Sequence, residues 1–548
     1  MRRRDFVRSA TALVTTAAAT HIAGIPVRAT SPLLSLPPGV MDSDNVLIII
    51  QLFGGNDALN TVIPAENDQY YRIRPTLAVP KQQAWRWLTT DLYLHPSMAG
   101  DRLYGGGFGG LMDQGRLAIV QDVGYDNPNL SHFRSTDIWL SGINSSDPFV
   151  RLSEGWIGRF FARVLPDFPA VLPEHPLCVQ IGGTLSLLFQ SAKGDVGIAL
   201  TDPQKFFELG KGSTPDEDAL PEVDMFAREF NYIRSIAAQA DRYSQAVLDA
   251  YLRGRTTVNY GSRGLPAQLG MIARLISGGL KSKVYLCYLG GFDTHVQQQE
   301  ADDVTKGVHP ALLEQLANGV AQFMQDALQQ GFAHRVVGIT ISEFGRRPYE
   351  NGSRGTDHGA AGVQFVFGDG QSIRSSRFGT EPNLEQLDSN GDLIYQNDYR
   401  RLYADILLKW FDVTPEDTAA ILGDRIAPLN VIKRRVTTSV LPEDADHSAL
   451  TVVPHPVVSG ADEVRVMLRR LASVHLELYN VRGQFISELY RGLLPEVQAV
   501  SSCLCSAVGR TYFSSAALMR SSRQRLPSCG KPSKERIEFL VVSMAVDA

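Results

Sequence analysis

Two short stretches of the sequence carry side chains that can bind a metal ion. GGFDTH contains Asp293 and His295, and GTDHG contains Asp357 and His358. Carboxylates and neutral imidazoles are typical ligands of zinc and manganese, and carboxylates also bind calcium. The glycines of GTDHG suit a turn, but a turn does not require an imidazole. The two stretches therefore predict a divalent metal site for Zn, Mn or Ca, with the number of ions left open.

Further polar residues occur in equivalent positions after other apolar segments. Asp57 follows a Gly-Gly pair, and Ser131 and His132 open a predicted helix. Glu343 and Arg346 lead into the GTDHG stretch. A metal ion beside Ser131 would stabilise its alkoxide and make it a nucleophile at neutral pH. Arg346, or the arginine after it, could hold an anionic ester through two parallel hydrogen bonds.

Each of these residues also has a structural explanation. Asp57 could stabilise a tight turn, and Ser131 could cap a helix. Asp293 and His295 could lie in a surface loop. The arginines could be solvated or paired with acids such as Glu343. The functional hypothesis gains weight because all these residues follow predicted strands.

The strands that would position these side chains are predicted from apolar runs. The runs are continuous rather than alternating, which is typical of strands buried on both faces of a parallel sheet. They are NVLIIIQL (45–52), RLAIVQDV (116–123), SKVYLCYL (282–289), RVVGITIS (335–342) and VQFVFG (363–368). In open α/β sheets, ligands bind at the carboxyl ends of the strands. The polar residues are therefore expected at one edge of the sheet.

Helical periodicity separates the predicted strands. The segment 309–331 has an apolar stripe, a proline in its first turn and a glycine at its end. It connects the strands at 282–289 and 335–342 as a crossover. Helices are also predicted at about 222–254 and 400–411. The predicted fold class is α/β, with a doubly wound, largely parallel sheet flanked by helices.

The first residues have the layout of an export signal. Arg3 and Arg4 precede an apolar stretch of small residues, and a VRA sequence ends at Ala29. This pattern predicts a twin-arginine-type signal peptide over 1–29, with an amphipathic helix as the alternative. The twin-arginine export machinery is then an expected partner. The expected location is the periplasm, the cell surface or the exterior.

The composition limits the possible partners. The net charge of -5 and the absence of a Lys/Arg run in the globular part argue against nucleic acid. No apolar stretch after the N-terminus is long enough to span a membrane, so no transmembrane segment is expected. No CxxC pair occurs, and Cys178 and Cys287 lie in apolar runs where they should be buried.

The 548 residues divide into several predicted segments. An α/β domain is expected over 40–436, a linker over 437–450 and a β-rich module over 451–496. The tail 497–548 is rich in Ser, Arg and Cys and lacks strand patterns of the same kind. We interpret this tail as disordered or as the product of a frameshift near 496.

Over roughly residues 45–425, the chain resembles the domain of unknown function 1501 family. The resemblance lies in LIIIQLFGGNDALNTVIP, LSHFRSTDIWLSG, GGFDTH, ISEFGRRPYENGSRGTDHGAAG and DYRRLYADIL. That family is exported and is grouped with the alkaline phosphatase and sulfatase superfamily. The resemblance implies a central parallel sheet with a nucleophile at Ser131. It implies metal ligands at Asp57, Asp293, His295, Asp357 and His358.

The sequence departs from the superfamily in two ways. The sulfatase motif C/S-x-P-S-R is absent, and no histidine follows His358 before the linker. The second departure puts a full two-zinc site in doubt. A single ion is easier to supply, and a second ion would need His132, His309 or Glu343.

The C-terminal module resembles another group. VVPHPV followed by LELYNVRGQ, within about 452–496, is similar to β-sandwich sorting domains of the type IX route. This resemblance implies the type IX secretion machinery as a partner. A generic immunoglobulin-like module fits equally well.

Two functions are compatible with these patterns. The first is an exported metal-dependent hydrolase of phosphate or sulfate esters with a serine nucleophile. The second is a non-catalytic exported or cell-surface binding protein that retains the fold. An anionic ester is the expected substrate of the first.

Overall fold

The computed structural model describes residues 43–88, 90–100, 106–210 and 242–433, and outside these ranges it gives short strands only. The chain divides into two compact units, residues 1–436 and 437–548. The predicted signal peptide lies outside the described residues, apart from two short paired strands, Thr20–Ile22 and Ile25–Val27. No helix in the described part of the chain is long and apolar enough to cross a membrane.

A nine-stranded sheet forms the centre of the first unit. Its strands, in chain order, are β1 (Val46–Phe53), β2 (Leu117–Gly124), β3 (Cys178–Ile181), β4 (Gly197–Leu200), β5 (Val284–Gly290), β6 (Val336–Ile341), β7 (Gly362–Gly368), β8 (Arg377–Phe378) and β9 (Asn397–Asp398). The order across the sheet is β8-β2-β7-β6-β1-β5-β3-β4, and β9 also pairs with β2.

The sheet is largely parallel. β1 pairs in parallel with β5 and β6, and β3 pairs in parallel with β5 and β4. β7 runs antiparallel to both of its neighbours, β6 and β2. The predicted fold class is confirmed, because the five predicted strands correspond to β1, β2, β5, β6 and β7. The short strands β3 and β4 extend the sheet beyond them.

Helices flank the sheet. They are α1 (Ala58–Thr61), α2 (Asp68–Ile73), α3 (Gly107–Asp113), α4 (His132–Ser141), α5 (Trp156–Val164), α6 (Pro203–Gly210), α7 (Gly264–Ser277), α8 (Val308–Gln329), α9 (Arg400–Asp405) and α10 (Pro415–Leu422). A helical stretch also occupies 242–253. The helix predicted at 400–411 consists of α9 followed by a π-helical turn, Ile406–Trp410.

The core lies on both faces of the sheet. Ile48 and Ile50 of β1 pack in one buried cluster with apolar residues of α7 and α8. Leu47 and Ile49, between them in sequence, pack on the opposite face in a second cluster with residues of α5 and α9. Alternate residues of a strand point to opposite faces. A continuous apolar run therefore indicates burial on both sides, as predicted.

The second unit contains two antiparallel sheets. One contains Thr451–Val453, Glu463–Leu468, Val497–Cys503 and Phe513–Ser514. The other contains Phe485–Leu494, Ala472–Asn480 and Leu540–Asp547. Three of these strands come from the predicted tail, and the whole predicted linker, 437–450, lies outside the described residues. The sorting role and the frameshift remain predictions.

Candidate metal centre

The carboxyl ends of β1, β2, β5 and β6 bring the candidate residues together. Gly54, directly after β1, has a backbone φ of 123° and closely approaches the segment after β5. A Cβ atom on this residue would lie 2.2 Å from the backbone nitrogen of Asp293. The Gly54 amide also donates a hydrogen bond of 2.8 Å to Glu343 Oε1. The segments after β1, β5 and β6 are therefore packed directly against one another.

Three potential ligand atoms form a small triangle at this edge. Asp293 Oδ1 lies 3.0 Å from His295 Nε2 and 3.1 Å from His358 Nε2. The two histidine Nε2 atoms are 3.0 Å apart. A tetrahedral zinc ion with bonds of about 2.0–2.2 Å places its ligand atoms roughly 3.3 Å apart. The triangle is close to that spacing.

The opposite ring nitrogen of each histidine contacts an oxygen. His358 Nδ1 lies 2.9 Å from the Leu130 carbonyl oxygen, and His295 Nδ1 lies 3.0 Å from Asp357 Oδ1. A carbonyl or a carboxylate can only accept, so each Nδ1 must carry the hydrogen. In the neutral rings, both Nε2 lone pairs then face Asp293. Three acceptors that converge in this way require a shared proton or a cation between them.

His132 approaches Asp293 from the β2 side. Its Nδ1 lies 2.8 Å from the buried Glu343 Oε1, and its Nε2 lies 3.5 Å from Asp293 Oδ2. The ligand atoms of His132, Asp293 and His358 all lie within 4.8 Å of one another. A carboxylate that orients a metal-binding imidazole is a recurrent arrangement. Glu343 thus supports His132, and its position does not favour a role as a direct ligand.

The donor set favours some ions over others. Imidazole nitrogens suit zinc and related transition metals, whereas calcium takes oxygen ligands. Up to three imidazoles and one carboxylate therefore fit zinc or manganese better than calcium. Among the alternatives left open by the sequence, calcium has the least support from the geometry.

The charges around Asp293 favour its ionised form. Partial burial alone would raise the pKa of Asp293, but Arg346, which donates a hydrogen bond to it, and the adjacent His358 outweigh this effect and hold the pKa at about 2. Burial lowers the pKa of His358, against the opposing effects of the Leu130 carbonyl and Asp293. An ionised carboxylate and neutral imidazoles are the protonation states that bind metal ions.

Arg346 lies beneath this centre rather than in front of it. Its side chain is fully buried, and Nη2 donates to Asp293 Oδ1 at 2.6 Å. The other guanidinium hydrogen bonds go to backbone carbonyls of Gly54, Gly55, Phe292 and Thr356. The guanidinium therefore joins three strand-end segments. This position favours a role in fixing Asp293 over the expected role of holding a substrate anion.

Asp57 is also buried, but in a separate network. It forms an ion pair of 2.7 Å with Arg74, and both side chains have no exposed surface. Gln298 donates a second hydrogen bond of 2.6 Å to the same Asp57 oxygen. Burial would raise the pKa of Asp57, yet Arg74 lowers it overall. The structure thus does not place Asp57 among the atoms around Asp293.

Ser131 is exposed beside the centre, whereas His309 is buried in the protein interior. Ser131 is the exposed N-cap residue of α4, directly after the carbonyl that anchors His358, and its hydroxyl makes no capping hydrogen bond. His309 is fully buried, with Nε2 3.0 Å from Asn56 Oδ1. Burial lowers the pKa of His309 to about 3. Ser131 is therefore at the rim of the centre, and His309 is internal.

Asp357 contacts His295 on the ring nitrogen that faces away from the three potential ligand atoms, so it is not one of them. Its Oδ1 accepts hydrogen bonds from Asn351 at 3.0 Å and from His295 Nδ1. These bonds, led by that of Asn351, lower the pKa of Asp357. Sequence reasoning did not find Asn351, Arg74 or Gln298. None of them directly follows a predicted strand, and the carboxylates that they contact, Asp57 and Asp357, lie at least six positions away in sequence.

Exposed apolar side chains occur in the same strand-end segments. Of the twelve large hydrophobic side chains that are exposed in the described part, four lie there: Phe53, Phe133, Val296 and Tyr349. The Phe53 ring stacks on His132 with the ring centres 5.7 Å apart. Concentrated exposed apolar surface commonly marks a binding site.

A comparison with protein families finds one match. Residues 201–396 match the family model described as protein of unknown function (DUF1501). This range contains Asp293, His295, Asp357 and His358, but not Ser131 or His132. A comparison with curated proteins finds no significant match.

Solved structures give weak likenesses. A protein in the alkaline phosphatase superfamily from Vibrio parahaemolyticus has a TM-score of 0.31 and 9% identity, covering 84% of this chain and 79% of that one. The lipoteichoic acid synthase LtaP from Listeria monocytogenes gives 0.30 and 10%, with 72% and 77% coverage. A sulfatase from Pseudoalteromonas sp. gives 0.29 and 10%, with 83% and 82% coverage. TM-scores this low support no argument about function.

Proposed function

We propose that this chain is a metal-dependent hydrolase of phosphate or sulfate esters. The observation that carries the proposal is the orientation of three histidines. His132, His295 and His358 each hold Nδ1 against an oxygen and turn Nε2 towards Asp293. These four residues would hold one divalent ion, zinc or manganese. Asp57 and His309 are not included, because Asp57 Oδ2 pairs with Arg74 and His309 Nε2 contacts Asn56 in the protein interior.

Ser131 is the proposed nucleophile. A bound divalent ion would supply Lewis acidity, which favours an ionised hydroxyl and stabilises negative charge on an ester. The chain contributes the position of the hydroxyl, at the N-terminus of the ten-residue helix α4. The positive end of a helix dipole favours an anion at this point. The hydroxyl is also free of a capping hydrogen bond and exposed to a substrate.

The substrate class is an anionic ester with an apolar or ring-bearing organic group. The exposed rings of Phe53 and Phe133 lie in the segments that carry the centre, and both are more than two-fifths exposed. Apolar walls with a few convergent polar groups are typical of small-molecule sites. The apolar group of the ester would contact these rings while the anion faces Ser131.

The second candidate function is that of a non-catalytic exported binding protein. Arg346 favours it, because its guanidinium is fully engaged with Asp293 and backbone carbonyls and is not free to hold a substrate anion. Under this alternative, a metal ion and a ligand would bind without turnover. Export by the twin-arginine route, and surface sorting by the type IX route, are proposed for either function.

Metal analysis of the folded, natively exported protein tests the centre. His358→Ala is expected to lower metal affinity by roughly tenfold or more, since it removes a ligand. The thermal midpoint measured in chelator should barely change, because the turn keeps its glycines. His334→Ala, which removes an exposed histidine at the other edge of the sheet, is the matched control. Equal metal content in folded wild type and His358→Ala would overturn the assignment.

Turnover distinguishes the two functions. Metal-loaded protein is assayed on a panel of chromogenic aryl phosphates and sulfates, with Ser131→Ala as the variant. A hydrolase should lose turnover of its ester in Ser131→Ala while keeping its metal content. Metal-loaded wild type with no turnover on any ester supports the binding protein instead.

A further inference from the structure

A basic cavity lies at the opposite edge of the same sheet. It has a volume of about 480 Å³ and is lined by Arg253, Arg255, His334 and Arg335, with Asp44 as the acid. Asp44 precedes β1, and Arg335 precedes β6, so the cavity is at the amino ends of these strands. The metal centre is at their carboxyl ends. The two sites therefore share no residue.

The guanidinium groups of Arg253 and Arg335 are held in place through their Nε atoms, which leaves their Nη atoms available. Arg335 Nε lies 2.9 Å from Asp44 Oδ2, and Arg253 Nε donates to the Gly278 carbonyl at 3.2 Å. Among the described residues, no hydrogen bond holds the Nη atoms of Arg253 or Arg335. Each terminal fork thus remains able to donate to a ligand.

Arg255 is fixed through its backbone alone. Its amide donates to Ser277 Oγ at 3.1 Å, and its carbonyl accepts from Gln330 Nε2 at 3.0 Å. Gln330 is itself held by the buried Asp326 at 2.7 Å. Within the described part of the chain, the Arg255 guanidinium has no hydrogen-bond partner. Its base is therefore positioned by α7 and α8, while its charged end has no hydrogen-bond partner among the described residues.

A structural role accounts for part of this charge. The stretch 242–253, α7 and α8 all end near the cavity, and positive side chains stabilise the negative ends of helix dipoles. That role requires positive charge, but it does not require several guanidinium groups around one cavity whose Nη atoms have no hydrogen-bond partner among the described residues. Three arginines face one acid here, in a chain with a net charge of -5. The positive charge is thus local.

We propose that this cavity binds an oxyanion, namely a phosphate or sulfate group, either free or attached to a larger molecule. Guanidinium forks donate two parallel hydrogen bonds to such groups, a geometry that a lysine cannot supply. Ser277 and Gln330 add polar atoms to the lining. This binding does not depend on the proposed hydrolase, because it uses the opposite edge of the sheet.

Calorimetric titration of the full chain with inorganic phosphate and with sulfate tests the proposal. The titration is performed in chelator on His358→Ala, so that the metal centre cannot contribute. One anion should bind per chain, and adding Arg255→Gln should weaken that binding by about tenfold, since a charge-assisted hydrogen bond is lost. Arg425→Gln, at an exposed arginine outside the cavity, should leave it unchanged.

A second titration uses heparin as a sulfated polymer. If the polymer binds more tightly than free sulfate and loses this advantage in Arg255→Gln, the anion is normally attached to a larger molecule. If both bind alike per sulfate group, the ligand is the free ion. Absence of binding, or equal binding by His358→Ala and by His358→Ala/Arg255→Gln, overturns the proposal and leaves the arginines with a helix-stabilising role.

Discussion

Asp57 shows how burial decides what a carboxylate does. The residue follows a strand directly, as a metal ligand in this fold class would, yet its neighbour in space is the buried guanidinium of Arg74. Arg74 also donates to Asn60 Oδ1 and to the carbonyls of Arg347 and Pro348. The pair therefore connects the segment after β1 with that after β6.

We expect Asp57→Asn to reduce stability without reducing metal content. Loss of one partner leaves the Arg74 charge buried and uncompensated, which typically costs about 3–5 kcal/mol. Chemical denaturation measures the stability, and metal analysis of the folded fraction measures the site. The double variant Asp57→Asn/Arg74→Met should lose less than the sum of the single changes. If folded Asp57→Asn instead lost its metal, the result would show that Asp57 is a metal ligand after all.

At the scale of elements, the approach of β1 to β5 depends on Gly54. A side chain here would meet the Asp293 backbone at a φ that few other residues adopt. Gly115 also has a positive φ, of 70°, but nothing lies within 4 Å of its Cβ position. Substitution of Gly115 thus tests backbone strain alone, whereas substitution of Gly54 tests strain together with a steric clash.

Gly115→Ala is expected to cost about 1–2 kcal/mol, which is the strain of a left-handed conformation. Gly54→Ala should cost more and should also lower metal affinity, because the Asp293 backbone must move. Thermal denaturation and metal titration of both variants test this. If both variants lost the same stability and kept their metal affinity, the contact between Gly54 and the Asp293 backbone would not determine the position of Asp293.

Sequence patterns predicted the elements where a pattern was long enough to be distinctive. β1 and α8 were predicted from continuous apolar runs and a helical stripe. β3 and β4, with four residues each, were missed because such short runs do not stand out from loops. The π-helical turn after α9 was also missed, because it continues the same apolar periodicity.

The site was predictable only in part, for a related reason. Residues after strands were expected at one edge, and the structure places Asp293, His295 and His358 there. Their ring orientations depend on a backbone carbonyl, that of Leu130, which carries no sequence signal. The burial of Arg346 depends on segments far apart in the chain. Contacts of these kinds become visible only in three dimensions.

For the molecule as a whole, Asp122 gives stability a dependence on pH. The residue is buried at the end of β2, with a φ of 50° and a hydrogen bond from Gln396 to its carboxylate. Burial, opposed by the Gln396 bond and assisted by Glu381, raises its pKa from 3.8 to about 7. Between pH 4 and 7, the folded state therefore binds a proton that the unfolded state does not. Stability from this group is present at low pH and is lost as pH rises through 7.

Asp122→Asn should remove this pH-dependent loss of folding stability, because asparagine does not ionise. We expect the variant to be more stable than wild type by on the order of 1–3 kcal/mol at pH 8, with the difference shrinking towards zero near pH 4. Asparagine also tolerates the positive φ. Denaturation curves across this range test the prediction, with exposed Asp302→Asn as the control. The buried His95 and His309 titrate equally in all three proteins, so the differences isolate Asp122. A difference independent of pH would be the contrary result.

The position of Arg346 has a consequence for how a metal ion would come and go. A guanidinium already compensates Asp293 and fixes its backbone through the Phe292 carbonyl, so the empty and loaded forms share one scaffold. An ion at this centre would enter and leave without refolding of the chain, while sharing its carboxylate oxygen with a permanent cation. Such an ion would exchange with its surroundings, and occupancy would follow the supply of free metal in the compartment where the protein resides.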